Sequence, residues 1–396
     1  MSKIMSVNAG SSSLKFQLLE MPQEVVLASG VVERIGEETP IYTFKYDGKK
    51  ITGDLVDGND HTTAVKTVLD LLLKYEIVKS YDEIKGVGHR IVQGGAYFND
   101  SAVINEDVKA KIKELSQLAP LHNPAHLKGI AAMESVLPNV PSVAVFDTAF
   151  HQTMEPEAYM YPVPYEWYTE NKVRKYGAHG TSHQYVAYEC AKLMNKPIEE
   201  LKIITCHIGN GASITAVKGG KCVDTSMGLT PLDGIPMGTR SGTLDPTVLS
   251  YMQDQKGYSM AELIKILNKE SGYKGVSGIS NDSRDLEEKY NSDERAKLAL
   301  DLQYKRIADY IGSYYIYMGG VDAIVFTAGI GENNYHIRED IMNRIAVLGV
   351  KVDPVNNAKR GEALLVSTED SKVKVFVIPT AEELVIARDV VRLTQK

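Results

Sequence analysis

Cysteine is scarce in this chain, with Cys190, Cys206 and Cys222 the only three in 396 residues. They share no CxxC spacing and are odd in number, which excludes a disulfide framework and leads us to expect a reducing compartment. An excess of one charge is also missing. Lys and Arg total 44 against 51 Asp and Glu, a net charge of −7, so the basic field that a long polyanion needs is absent. No run approaches the roughly 18 apolar residues of a membrane helix. Met1-Ser-Lys-Ile-Met-Ser-Val-Asn-Ala-Gly10 turns polar too early for a signal peptide. A cytoplasmic protein with no membrane or nucleic-acid partner is expected. Familiar nucleotide signatures are absent too: there is no P-loop and no GxGxxG opening a helix after a strand. Gly88-His-Arg-Ile91 lacks the aspartate of a protein-kinase catalytic loop.

Short apolar runs ending in glycine turns are what the chain does contain. Ile4 to Val7 leads into Asn8-Ala-Gly-Ser-Ser-Ser13 and resumes at Leu14; half a chain later Ile203 to Cys206 leads into His207-Ile-Gly-Asn-Gly-Ala-Ser213 and resumes at Ile214. Both read as strand, turn, strand. A repeat of this size implies two similar halves rather than a solenoid. A third run, Ala323 to Phe326, enters Thr327-Ala-Gly-Ile-Gly-Glu-Asn333 and then a helical segment from Tyr335 to Ala346. Upstream, Leu300, Tyr304, Ile307, Ile311, Tyr315 and Met318 fall at steps of three and four, so 296–318 is helical and Gly319-Gly320 stops it. Val143 to Phe146 is a strand ending on Asp147, and Val373 to Ile378 passes Pro379 into a final helix. The alternation makes an α/β architecture with mixed sheets. The Tyr159 to Tyr168 cluster is either an inter-domain joint or subunit interface, or an aromatic loop over a core.

Glycine turns of this kind let backbone N–H groups converge on phosphate oxygens, or form hairpins with glycine at positive φ. Three of them after strand ends favour a nucleotide, since α/β proteins bind ligands there. His122 and His126, like His179 and His183, stand four apart as in a zinc pair. The glutamate of HExxH is missing, however, and Pro124 and Gly180 interrupt the two pairs. Arg90, before Ile91-Val-Gln-Gly-Gly95, and Arg240, in Gly234-Ile-Pro-Met-Gly-Thr-Arg-Ser-Gly-Thr243, suit an oxyanion because the guanidinium fork pairs with phosphate or carboxylate. A salt bridge is the alternative for either. Thr380-Ala-Glu-Glu383 reads as a capping box, with Thr380 as N-cap and Glu383 reaching back.

Taken together, Asn8-Ala-Gly-Ser-Ser-Ser-Leu-Lys15, Gly88-His-Arg-Ile-Val-Gln-Gly-Gly95, Phe146-Asp-Thr-Ala-Phe150, His179-Gly-Thr-Ser-His183, His207-Ile-Gly-Asn-Gly211 and Thr327-Ala-Gly-Ile-Gly-Glu-Asn333 resemble the acetate kinase family over essentially the full length. The resemblance implies two related actin-like ATPase (ribonuclease H-like) domains with mixed sheets flanked by helices and an interdomain active-site cleft. The N-terminal domain would be 1–150, with the last helix 384–396 returning to it, and 151–383 would bind nucleotide and dimerise. It implies reversible transfer of the ATP γ-phosphoryl group to acetate, or to propionate or another short-chain carboxylate, with ATP/ADP as substrate, Mg2+ required and Mn2+ able to substitute, in a homodimer. By motif position, Asp147, His179 and Arg240 would be catalytic; Arg90, Val92, Leu121 and Pro231 would hold the carboxylic substrate. Lys15, His207, Ile208, Gly209, Asn210, Gly211, Asp282, Ser283, Arg284, Gly329, Ile330, Gly331, Glu332 and Asn333 would bind ATP, and Asn8 and Glu383 the metal. The family usually has phenylalanine where this chain has Ala178, which implies a roomier methyl pocket, worth about 1 to 3 kcal/mol per methylene. Acetate offers no proton at neutral pH, so Asp147 is expected to position rather than to act as a true acid or base. A non-catalytic ATP-binding module and a zinc hydrolase are the competing readings. Arg90, Asp147 and Arg240 argue against the first.

Overall fold

A computed structural model of the chain describes residues 1–120 and 122–395; Leu121 lies outside the described residues. The chain packs as two units, Met1–Ala149 with Ala381–Lys396, and Phe150–Thr380. In the first, β1 (Ser2–Ala9), β2 (Ser13–Met21), β3 (Val25–Glu33), β4 (Ile41–Tyr46), β5 (Lys49–Asp54), β6 (Ile84–Ile91), β7 (Ala102–Val103) and β8 (Ser142–Phe146) form one sheet in the order β5-β4-β3-β2-β1-β6-β8-β7. In the second, β9 (Lys202–Ile208), β10 (Ala212–Lys218), β11 (Lys221–Thr225), β12 (Ala323–Thr327), β13 (Leu364–Leu365) and β14 (Lys374–Val377) follow the order β11-β10-β9-β12-β14-β13.

The two sheets share one plan. An antiparallel meander, β3-β2-β1 or β11-β10-β9, is continued by two parallel strands, β6 and β8 or β12 and β14. The strands expected from the apolar runs are all present. Every residue of β8 and of β12 is buried, the continuous apolar pattern of a parallel strand covered on both faces. The outermost hairpin, β4-β5, turns through Asp47 and Gly48, both at positive φ, as a two-residue hairpin turn requires.

Strand periodicity decides which face each site residue occupies. Along β1, Met5, Val7 and Ala9 join the core under the helices His61–Lys74 and Asn123–Val136, whereas Ile4 joins the opposite cluster with Ile386, Ala387 and Val390. Asn8 therefore shares a face with Ile4. The helix Glu382–Thr394 lies on that face against β6: a Cβ on Gly86 would run into Val390, and one on Gly88 into Ile386. Two strand residues advance about 6.6 Å and four helix residues about 6 Å, so the next pair in the series is Arg90 and Glu382.

In the second unit the long helix Glu294–Met318 begins on Asp293, whose carboxylate accepts from the backbone N–H groups of Arg295 and Ala296, and ends on Gly319 at φ 68°. Its buried face carries Leu300, Tyr304, Ile307, Ile311 and Met318 as expected, but Tyr314 is the buried tyrosine and Tyr315 only half-buried. Tyr159 to Tyr168 folds as two short helices, Pro156–Tyr159 and Tyr165–Thr169, with the Arg174 guanidinium 3.6 Å above the Tyr159 ring.

One expectation is corrected and one alternative is set aside. Thr380 does not cap the last helix: Ala381 is the N-cap residue, no side chain caps it, and the Thr380 N–H donates instead to Glu332 Oε1 at 3.1 Å. That bond ties Thr380 to Glu332, and the helix starts at Glu382, one residue later than a Thr380 cap implies. The glycines of the three turns do not serve by left-handed geometry either, since none of Gly10, Gly209, Gly211, Gly329 and Gly331 has positive φ. Among the segments of the site, the non-glycine residues at positive φ are His179 (58°) and Ala328 (64°), each at a cost of about 1 to 3 kcal/mol.

Candidate active site

In each unit the polar residues gather at the carboxyl ends of adjacent parallel strands, where α/β sheets bind ligands. In the first unit these ends are Asn8 on β1, Arg90 on β6 and Asp147 just after β8, whose N–H extends the ladder to Ile91 O at 2.9 Å. Arg90 and Asp147 form a two-pronged pair, Nε to Oδ1 at 2.9 Å and Nη2 to Oδ2 at 2.8 Å. Asp147 is 1% exposed, with the Arg90 side chain at 21%. Glu382 lies 3.8 Å from Arg90 Nε. Burial opposes the charge on Arg90, but the carboxylates of Asp147, Glu382 and Glu383 outweigh it and hold the guanidinium above its usual range. Two of its five N–H groups serve Asp147, leaving three for a ligand.

The loop beyond Arg90 is fixed from below. Asn123, fully buried, donates to Gln93 O at 3.0 Å and to Ile112 O at 3.2 Å, and accepts from the Gln93 N–H at 3.2 Å. Val92 in that loop is half-buried. Lys15 stands on β2 directly across from Asn8 and is exposed; Glu383 is exposed in the first turn of its helix. His126 donates through Nδ1 to Ala9 O at 2.9 Å.

In the second unit the corresponding ends carry His207 and Ile208 as the last residues of β9, Gly209 to Gly211 after it, and Ala328 to Asn333 after β12. His179 stacks on His207, ring centroids 4.1 Å apart and planes 16° from parallel. Arg240 is half-buried on the loop 234–243, which has no helix or strand. Its Nη1 donates to Pro231 O at 3.1 Å and it has no carboxylate partner among the described residues; burial holds it below its usual range. A Cβ placed on Gly211 would lie 3.6 Å from both Arg240 Nη1 and His179 Nε2. The missing side chain of Gly211 thus leaves a small space that one cation and one imidazole edge share.

The remaining nucleotide-side positions are looser. Asp282 caps the short helix Ser283–Glu287 and pairs with Arg284, whose side chain is 83% exposed. Asn210 is exposed, Ile208 buried, and Gly238 N donates to Asn210 O, joining the Arg240 loop to the β9 turn. Arg338, fully buried, donates to the carbonyls of Gly331 and Glu332 at 2.9 Å each and so fixes the Gly329 to Asn333 turn, with Gly329 exposed and Ile330 half-buried. Ala178 is 2% exposed within the core of this unit, and its carbonyl accepts from His151 Nε2 at 2.8 Å. Glu382, Ser213 and Arg338 escaped the sequence reading. The first was detectable only as the neighbour of Glu383, and the others only by strand and helix phase.

Two sheets on one plan, each with a glycine-containing turn at its parallel strand ends, define the actin-like, ribonuclease H-like fold of ATP-dependent phosphotransferases. Residues 3–388 match the Acetokinase family, and the chain belongs to that family. It is 55% identical over 394 residues to an acetate kinase of Geobacillus kaustophilus, covering 99% of each chain. Among solved structures it resembles the Porphyromonas gingivalis acetate kinase (TM-score 0.94, 45% identity, 99% and 100% of the two chains) and a propionate kinase from Francisella tularensis (TM-score 0.93, 43% identity, 99% and 100%).

Proposed function

We propose that this protein is an acetate kinase, transferring the γ-phosphoryl group of ATP to acetate to give acetyl phosphate and ADP, and the reverse. The observation that carries the reading is the space over Gly211, where Arg240, a half-buried guanidinium without a carboxylate, meets His179. A buried cation left unpaired is costly, and a site that keeps one is built for an anion that arrives with the substrate. Phosphoryl transfer runs through a loose transition state stabilised by positioning and charge, and these two groups supply it.

In the forward direction a carboxylate oxygen attacks the γ-phosphorus, the bond to the bridging oxygen breaks, and ADP leaves. Arg90 holds the carboxylate through the N–H groups that Asp147 leaves unused. Asp147, with both oxygens occupied by Arg90, orients that guanidinium; acetate brings it no proton to remove. Lys15 and the turns at 207–211 and 329–333 bind the phosphates and nucleotide, with Asp282 to Arg284 at its edge. Val92, Pro231 and Leu121 would line the methyl group.

Among the described residues no three His, Cys, Asp or Glu side chains are grouped as a metal cage. Asn8 and Glu383 offer hard oxygens on the face that also carries Glu382, which fits a Mg2+ that keeps several waters and binds through one or two side chains plus substrate phosphates. When bound, the cation shields phosphate charge. No helix is long and apolar enough to cross a membrane among the described residues; the family likeness supports a cytoplasmic location and a homodimer. The test is hydroxylamine trapping of acyl phosphate with ATP and Mg2+ across acetate, propionate and butyrate. Acetyl hydroxamate as the main product is expected, preference for propionate would shift the assignment to the propionate kinases, and no product from any acid would refute it.

A further inference from the structure

One side chain in the first unit does the work of a neighbouring strand. The ladder between β6 and β8 ends at Ile91, whose carbonyl accepts from the Asp147 N–H at 2.9 Å. Gln93 lies two residues beyond that end and is 3% exposed, so its backbone polar groups need partners other than water. The amide of Asn123 supplies them: Oδ1 accepts from the Gln93 N–H at 3.2 Å, and Nδ2 donates to the Gln93 carbonyl at 3.0 Å. These are the two bonds that a hydrogen-bonded pair of residues exchanges in an antiparallel ladder.

The second Nδ2 proton goes to the Ile112 carbonyl at 3.2 Å, in the last turn of the helix Glu106–Glu114, where carbonyls run out of partners within their own helix. Asn123 is 0% exposed, and both of its N–H groups and its oxygen are in use. Only this orientation of the amide serves, because turned over it would set its NH2 against the Gln93 N–H and its oxygen against two carbonyls. Aspartate would place an oxygen against the same two carbonyls, and glutamine is one carbon too long. The consequence falls on Val92. It sits between Ile91, held by Asp147, and Gln93, held by Asn123, and it alone of these three residues is half-buried rather than buried. With both neighbours clamped, two soft dihedrals per residue leave its side chain little room to withdraw.

We propose that Asn123 is a positioning residue that sets the chain-length specificity of the acid site. By pairing with the Gln93 backbone it keeps Val92 at a fixed distance from the carboxylate on Arg90, so a longer acid gains no room by pushing the loop 92–95 aside. A pocket rejects one methylene too many only where its wall does not yield. Asn123 also follows Leu121 by two residues in the chain, so the two segments of this unit given to the methyl wall are tied through one amide. This consequence rests on the reading of Arg90 and Val92 as the carboxylate and methyl contacts; the pairing itself does not, and it can be measured without substrate.

The experiment is hydrogen–deuterium exchange on the full wild-type chain without substrate, resolved to the Gln93 amide, beside steady-state kinetics of Asn123→Ala and Asn123→Asp. The wild-type Gln93 N–H is expected to be protected; exchange at the rate of an open loop overturns the proposal, and this measurement stands even where neither variant folds. In the variants that amide is expected to exchange faster and KM for ATP to hold. Their kcat/KM for the preferred acid is expected to fall about 10- to 100-fold, the scale of a reacting group misplaced by about 1 Å. Discrimination against the first acid with one methylene too many, about 10- to 200-fold in such pockets, is expected to shrink by about tenfold. A lower melting temperature with that discrimination unchanged is what a purely structural asparagine gives, and it overturns the proposal. Absence of acyl phosphate formation by wild type would fail the kinase reading alone and leave the exchange rates to decide whether Asn123 holds the loop.

Discussion

Adding one methyl group at Gly211 separates the chemistry of the site from its stability. The atoms nearest the Cβ of Gly211→Ala are Arg240 Nη1 and His179 Nε2 and Cε1, at 3.6 to 3.7 Å, which is ordinary contact distance. Gly211 is not at positive φ, so alanine adopts its backbone without strain, and the thermal midpoint should move by no more than a few degrees. The same carbon occupies the space where an oxygen must sit about 2.9 Å from both donors. An oxygen displaced by about 1 Å from its reacting position costs roughly 100-fold in rate, equivalent to about 2.7 kcal/mol of barrier. We therefore expect kcat for acetyl phosphate formation to fall about 100-fold. The matched control is Gly312→Ala, in the helix Glu294–Met318, which likewise has no positive φ and whose Cβ would meet no atom within 4 Å. The assay is steady-state hydroxamate formation beside a melting curve of each variant. If Gly211→Ala kept kcat within threefold of wild type, the transferring group would not lie over Gly211, and the roles given to Arg240 and His179 would fall.

Arg240→Ala should lose roughly 10³ to 10⁵ in kcat, the range for an arginine acting on transition-state charge, while its melting temperature holds or rises, because a half-buried cation without a carboxylate contributes little to folding; calorimetry beside kinetics checks both halves. Asp147→Asn keeps the shape of the pair but not its charge. It should raise KM for acetate more than for ATP and cost about 1 to 3 kcal/mol of stability in urea; selective loss of one ionisation in the pH–rate profile, with unchanged magnesium dependence, would mark Asp147 as an acid or base instead. Acid should weaken the first unit. Burial holds His89 down at about 3 and His126 at about 4, so between pH 6.5 and 4 the unfolded chain binds protons that the folded chain does not, and stability falls as pH falls. Each should remove about 2 kcal/mol between pH 7 and 5; urea midpoints at the two pH values, with a flat response in a His89→Gln/His126→Gln double variant, test it.

Much of this was readable from residue order. The α/β class followed from apolar runs that ended in glycine turns, and β1, β9 and β12 begin and end close to where those runs do. What failed did so for lack of partners. Thr380-Ala-Glu-Glu383 satisfies the capping-box pattern, yet the Thr380 N–H is taken by Glu332, 48 residues away, and no local pattern encodes that competition. Likewise the turn glycines were legible as special, but not the space that Gly211 leaves beside Arg240 and His179, nor that the left-handed backbone falls on His179 and Ala328. The closeness of Glu382 to Arg90 depends on the phase of a helix against a strand almost 300 residues earlier in the chain, which only the folded structure resolves.

That helix also bears on how the protein is made. Residues 1–149 emerge from the ribosome long before 381–395, and at about 5 to 20 residues per second the interval is roughly 10 to 50 s. Throughout it, the face of the first sheet bearing Ile4, Leu19, Val143 and Val145 is without its Ile386, Ala387 and Val390 cover. A nascent first unit therefore presents a sticky surface to chaperones. Chains stopped short of residue 381 should be cleared as misfolded fragments rather than persist as half-working enzyme.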